Sequence, residues 1–301
     1  MLMAKRIFLL PLIALLCWQW AYACDACGCS IGGNGIGLLS NYRNNYIGLG
    51  WQLGRFNSVP GHGLGSEDQF HTLELSLRYH FTDRFKVLAF QPYRINRRLN
   101  SDQSEQQLSG ISDTRILAAY TLLRDASLGS ISVFWEAGAG IKLPVGTYNA
   151  HIHDTNLPEN FNIGNGSWGY LLQSNLVLTR GQVGLVLNGV YQHNGPSRSD
   201  YQFGHQLTGQ ALVFAEANIG NRLQLVPNAG LSLEQITTDR YANGKSVSGT
   251  GGRGTYFSGG INLKAGNWIF GAAASLPLDQ SYSHEEVEAR SRLSTQILFT
   301  F

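Results

Sequence analysis

The side chains of this chain change character at every second position, in one segment after another. Thr72–Phe81 is the clearest case. Leu73, Leu75, Leu77, Tyr79 and Phe81 share one face, and Thr72, Glu74, Ser76, Arg78 and His80 share the other. Successive strand residues point to opposite sides, so this period of two specifies a strand with one apolar and one polar face. Ile131–Leu143 repeats the pattern, and so does Leu207–Ile219. About twelve such segments follow one another, starting near residues 46, 70, 85, 113, 131, 167, 182, 205, 223, 254, 267 and 290. In Phe85–Leu99 both faces carry apolar residues, so the pattern leaves its register open.

The connections alternate in length. Thr82-Asp83-Arg84, Gly181, Gly220-Asn221-Arg222 and Ala265-Gly266-Asn267 are tight turns. Between them lie long links at 56–69, 100–110, 144–166, 194–204, 239–252 and 278–289. Even strand number and short-long alternation predict an all-β, transmembrane, antiparallel up-and-down β-barrel of about 12 strands, with both termini on the periplasmic side. Apolar-out and polar-in follows from the solvent, because lipid offers no hydrogen bonds and the sheet must close on itself. Trp168, Tyr170 and Tyr191 suit the aromatic girdles of such a barrel.

The ends of the sequence fit an exported barrel. Lys5 and Arg6 precede an apolar run, and Ala21-Tyr22-Ala23 precedes Cys24, as in a secretory signal peptide over residues 1–23. Cleavage and lipidation at Cys24 is the rival reading of the same bond. The last segment alternates through Leu293, Ile297 and Phe299 to Phe301, the form of strand that closes outer-membrane barrels and is handed to the barrel-assembly machinery. The expected organisation is a signal peptide, a cysteine- and glycine-rich segment over 24–44 that plugs the lumen or hangs in the periplasm, and a barrel over 45–301. A net charge of +2 with 14% charged residues gives no basis for nucleic-acid binding.

Cys24, Cys27 and Cys29 stand within six residues at the expected mature N-terminus. Three thiols so spaced can chelate Cu(I) or Zn(II). In an oxidising compartment, a Cys24–Cys27 or Cys24–Cys29 disulfide is the alternative. His151, His153 and Asp154 form a second metal-ligand pattern in the longest link, and His284-Glu285-Glu286 a third in the last one. Glu74, Arg78, Glu136, Lys142, Glu216 and Glu234 fall on the expected lumen face. Two roles remain open for them: pairing across neighbouring strands to fill a narrow barrel, or lining a polar path for a solute. His193 and Ser197 lie near a strand end as in outer-membrane lipid hydrolases, but Gly195 stands where the nucleophile would be and Pro196 intervenes. No catalytic residue is assigned on this pattern.

Four stretches together carry a resemblance: Gly110-Ile-Ser-Asp113, Gly140-Ile-Lys-Leu-Pro144-Val-Gly146, Gly164-Asn-Gly-Ser-Trp168, and Tyr191 to Gly204. They resemble the outer-membrane channel family associated with phenol-degradation (meta) pathways, a relative of fatty-acid and hydrocarbon uptake barrels. In that family a Gly-x-Gly-Asp element opens a strand, and Ser112 here replaces its second glycine. The resemblance covers roughly residues 46–301; the cysteine head instead resembles that of uncharacterised barrels with Cys-x-x-Cys-Gly-Cys. It implies passive transport and supplies no catalytic residues. The expected function is thus a channel for a small solute, either a metal ion or complex loaded through the thiols, or a small hydrophobic or aromatic compound. A non-conducting structural barrel is the third reading.

Overall fold

The computed structural model describes residues 44–58, 65–220 and 222–301. Their strands, in chain order, are β1 (Tyr46–Ser58), β2 (Ser66–His80), β3 (Phe85–Asn100), β4 (Glu105–Ile111), β5 (Thr114–Leu128), β6 (Ile131–Leu143), β7 (Gly169–Arg180), β8 (Val183–Asn194), β9 (Tyr201–Gln202), β10 (Gln206–Ala215), β11 (Ala217–Ile219), β12 (Leu223–Ile236), β13 (Arg240–Tyr241), β14 (Gly252–Ala265), β15 (Trp268–Tyr282) and β16 (Val287–Thr300). Each pairs antiparallel with its neighbour, and β1 pairs with β16, so the sheet closes. β4 and β5 are one wall strand broken at Ser112-Asp113, and β10 and β11 are one broken at Glu216. The wall therefore has twelve strands, with β9 and β13 forming a small ribbon outside it. The long-short rhythm is present, but strand structure continues into several of the expected links. β4 occupies most of 100–110, β15 runs on to Tyr282, and β16 starts at Val287.

The outer face is apolar. Leu49, Leu75 and Ile297 lie side by side across three strands and point outward, 54%, 50% and 47% exposed. Leu73, Leu77, Leu172, Val213, Leu233 and Phe270 extend this belt around the wall. So large a continuous apolar surface is the mark of a hydrocarbon environment. Trp168, Tyr170 and Tyr191 are exposed at its loop end, and Trp268 at its turn end. Gly129, Gly181, Gly220 and Gly266 take positive φ in the tight turns, with open space around them.

The inner face is not uniformly polar. β3 resolves with Lys86, Leu88, Phe90, Arg94 and Asn96 inward and buried, and Phe85 and Tyr93 outward. Leu88 and Phe90 join Leu117, Ala119, Leu171 and Val190 in an apolar cluster on one side of the lumen. Phe134, Val177, Val186, Leu212, Phe214 and Val226 form another such cluster. A barrel interior away from bulk water can pack apolar side chains as a core does, which is why alternation in β3 was ambiguous.

Candidate functional site

Residues 144–168 do not extend away from the barrel. Two short 3₁₀ turns, Ile152–Thr155 and Glu159–Phe161, carry Ile152, Leu157 and Phe161 into full burial. These three pack in one cluster with Phe56, Phe70, Ile236, Tyr256, Tyr282, Val287 and Ala289, inward residues of β1, β2, β12, β14, β15 and β16. Phe161 lies 5.2 Å from Phe70 by ring centroid, and the Arg98 guanidinium sits over the Phe161 ring, 4.7 Å from its centroid. The segment leaves the wall between β6 and β7 and ends against the opposite side, so it spans the mouth as an inner loop.

Its stem is held by one carboxylate. Asp113 Oδ1 accepts from the Gly146 backbone N–H at 3.1 Å, and Oδ2 accepts from the Asn165 N–H at 2.8 Å. Lys142 Nζ lies 3.5 Å from Oδ2. Gly146 and Gly164 must both be glycine for this contact. A Cβ on Gly164 would stand 2.6 Å from Asp113 Oδ1 and 2.9 Å from the Gly146 Cα. Ser112 Oγ donates to the Ile163 carbonyl at 2.5 Å and Asn96 Nδ2 to the Phe161 carbonyl at 2.9 Å. The fourth stretch adds to the same rim, where Gly195 N–H donates to the Trp168 carbonyl at 2.8 Å and Asn194 Nδ2 to the Gly204 carbonyl at 2.7 Å. The four motif stretches read from the sequence thus meet in space as the anchor of the inner loop.

Glu159 is buried on this loop and receives a hydrogen bond from Asn162 Nδ2 at 2.9 Å. His153 Nε2 approaches it at 3.4 Å from the exposed side. Burial pushes the Glu159 carboxyl up to about 7; the Asn162 bond opposes this and the charge on Asp239 adds to it.

Below the loop, five of the six expected lumen residues point inward beside a partner. Glu74 pairs with Arg115 and Glu136 with Lys86. Lys142 faces Asp113, and Glu234 binds Arg292. Arg78 donates to the Asn44 carbonyl at 2.8 and 3.0 Å and lies over the Tyr46 ring. Glu216 instead sits at the break between β10 and β11, where Gln224 donates to it at 3.1 Å. Arg115, Lys86 and Arg292 escaped notice in the sequence, and Asp113 was noted only in the Gly110–Asp113 stretch, because period two assigns a face but not a cross-strand neighbour. Next to the Glu234 pair, Ser232, Ser258 and Ser275 form a hydroxyl row with 2.8 Å spacings. Gln52, Asn188, Thr208 and Gln210 line the same cavity.

The expected metal ligands are not drawn together. His151 and Asp154 are exposed and 3.9 Å apart, while His153 turns to Glu159. Among the described residues no three His, Cys, Asp or Glu side chains converge on one point, so the 151–154 and 284–286 groups do not meet. Cys24, Cys27 and Cys29, with the rest of residues 1–43, lie outside the described residues. The hydrolase pattern is also dispersed. His193 stacks on His205 with ring centroids 4.2 Å apart, and Ser197 shares hydrogen bonds with Tyr148 and Ser199.

No family model and no curated protein matches the chain. Its fold is similar to that of an outer membrane channel from Pseudomonas putida F1, at a TM-score of 0.62 and 15% identity over 86% of this chain and 96% of that one. The translocator domain of the autotransporter NalP from Neisseria meningitidis aligns at 0.44 and 10% identity over 89% and 94%. The CymD monoaromatic hydrocarbon channel aligns at 0.37 and 12% over 90% and 93%. At these identities the first likeness speaks for the barrel fold alone, and the other two are too distant in shape to carry an argument.

Proposed function

We propose that the chain is a bacterial outer-membrane channel for small apolar or amphipathic solutes, with its termini in the periplasm. One observation carries this reading: the lumen interleaves apolar side chains with charges that are neutralised in pairs. Leu88, Phe90, Leu117, Leu171 and Val190 pack together on the same side as the Lys86–Glu136 and Arg115–Glu74 pairs, and Arg115 lies over the Phe90 ring. The lumen acids Glu74, Glu136, Asp113 and Glu234 each face a base. A path selective for ions presents rings of uncompensated charge or carbonyls, and paired charges offer a passing ion little. The fold likeness to an outer membrane channel is consistent with the reading. Nothing among the described residues supports a metal ion as cargo. Phe301, exposed at the turn end, is the residue we assign to recognition by the barrel-assembly machinery.

The second reading, a non-conducting barrel, is favoured by the inner loop across the mouth. Both are tested in vesicles with a lipopolysaccharide outer leaflet, using the apolar fluorophore N-phenyl-1-naphthylamine as probe. A channel speeds probe entry over protein-free vesicles; equal rates support the silent barrel. Metal content of the reduced mature protein is expected to be below stoichiometric, and one bound copper or zinc per chain would restore the metal reading.

A further inference from the structure

A row of uncharged polar side chains crosses the inner wall. Asn175 of β7, Asn188 of β8, Gln210 of β10 and Ser232 of β12 are successive register partners on the inward face. Side chains directly opposite one another on neighbouring strands are close enough to touch. Apolar packing flanks the row. Toward the turns it meets Val177, Val186 and Leu212, and toward the loops Val190 and Leu171. Next to Asn175 on β6 stands Glu136, which Lys86 neutralises.

Two amides in this row are not used by the fold. Asn175 is fully buried, and neither its Oδ1 nor its Nδ2 has a hydrogen-bond partner among the described residues. Asn188 Nδ2 is buried and in the same condition. The two side chains are neighbours and still do not bond each other. An amide left so between valines costs stability that an apolar side chain would not. The row opens on the lumen cavity, which Asn188, Gln210 and Ser232 line together with Gln52 and Thr208. Unused hydrogen-bonding capacity beside a cavity marks a site that completes its bonds with a ligand.

We propose that the Asn175–Asn188–Gln210–Ser232 row is a binding belt for an uncharged solute that carries a carboxamide on a small apolar body. A primary amide presents a donor beside an acceptor, and its complement is a group that does the same. A carboxylate has no donor to give, an ammonium no acceptor, and a hydrocarbon neither. The carboxamide of the solute bonds Asn175 and Asn188, and its apolar body lies against the flanking valines. This rests on the channel reading above and narrows its amphipathic solutes to one kind of polar group.

The test is a titration of the full mature chain, labelled with 15N-asparagine in detergent micelles, with benzamide, benzoate and ethylbenzene. Benzamide is expected to shift the side-chain amide resonances of Asn175 and Asn188 saturably, with an affinity at least tenfold above that of either control. Asn175→Leu with Asn188→Leu removes the unused amides and leaves apolar side chains among apolar neighbours. Saturation transfer to the benzamide ring protons should then show at least a tenfold loss of affinity, with the melting temperature unchanged or raised. Benzamide that moves neither resonance overturns the belt and leaves the channel reading to be judged by N-phenyl-1-naphthylamine entry. Equal affinity for all three probes overturns it too. A double variant that melts lower assigns the two amides to structure and also overturns the proposal. Benzamide binding as expected, in a protein that admits N-phenyl-1-naphthylamine no faster than empty vesicles do, supports the belt and overturns the channel reading alone.

Discussion

Glu234 and Arg292 meet across two intervening strands, one on β12 and one on β16, as a bidentate pair at 2.8 and 2.9 Å. The Tyr282 hydroxyl donates to Glu234 at 2.6 Å, and Arg292 donates to the Tyr256 hydroxyl at 2.8 Å. All four are buried. Removing one partner leaves a charge with nothing to neutralise it, whereas removing both leaves only a space to fill. Arg292→Met is expected to destabilise the barrel by roughly 3–5 kcal/mol. Adding Glu234→Gln should recover more than half of that. Thermal shift of the heat-modifiable band in detergent measures both, and equal losses in single and double variants would refute the account.

Asp113→Ala should release the inner loop. Two backbone donors and Lys142 lose their shared acceptor, a loss of about 2–4 kcal/mol for the local anchor. Probe entry should rise several-fold while the barrel stays folded. Gly164→Ala should act the same way, because its Cβ would fall 2.6 Å from the Asp113 carboxylate. Single-channel recordings would show longer open times in both, and wild-type traces would count against the anchor.

The loop should also respond to pH through Glu159. Its folded value of about 7 lies above the usual 4.5, so the folded loop holds the proton more tightly than the released one. Stability from this group is full below about pH 4.5 and falls as pH rises to about 7, by at most about 3 kcal/mol. Hydrogen exchange over residues 149–163 should accelerate across that window. Glu159→Gln should flatten the response, and a slope that persists in that variant would overturn the assignment to Glu159.

Leu75→Arg places a guanidinium in the apolar belt between Leu49 and Gln91. The expected cost is about 2–4 kcal/mol in lipid, read from urea titration in vesicles. Ser76→Arg, on the opposite face of the same strand, tests the lumen instead, and equal costs would contradict the assigned faces.

Much of the architecture could be read from alternation, because lipid outside forces a sharp face in strands such as Thr72–Phe81. β3 could not be assigned that way, since Leu88 and Phe90 pack inside the lumen as they would in any core. The inner loop was read as an ordinary long link. Its signal was present in Ile152, Leu157, Phe161 and Ile163, four apolar residues that a solvated loop has little reason to carry. The charged lumen residues were found as one half of each pair. Their partners depend on strand register, which bulges such as that at Gly54/Phe56 shift without any period-two signature.

The distance in sequence between Glu234 and Arg292 bears on how many strands the cylinder accepts. Arg292 arrives on the final strand, so a sheet that curled shut one hairpin early would enclose a carboxylate with no counter-ion. Such a ten-strand by-product is disfavoured by electrostatics alone. The pair thereby acts as a tally, rewarding only the ring that has taken in the whole chain.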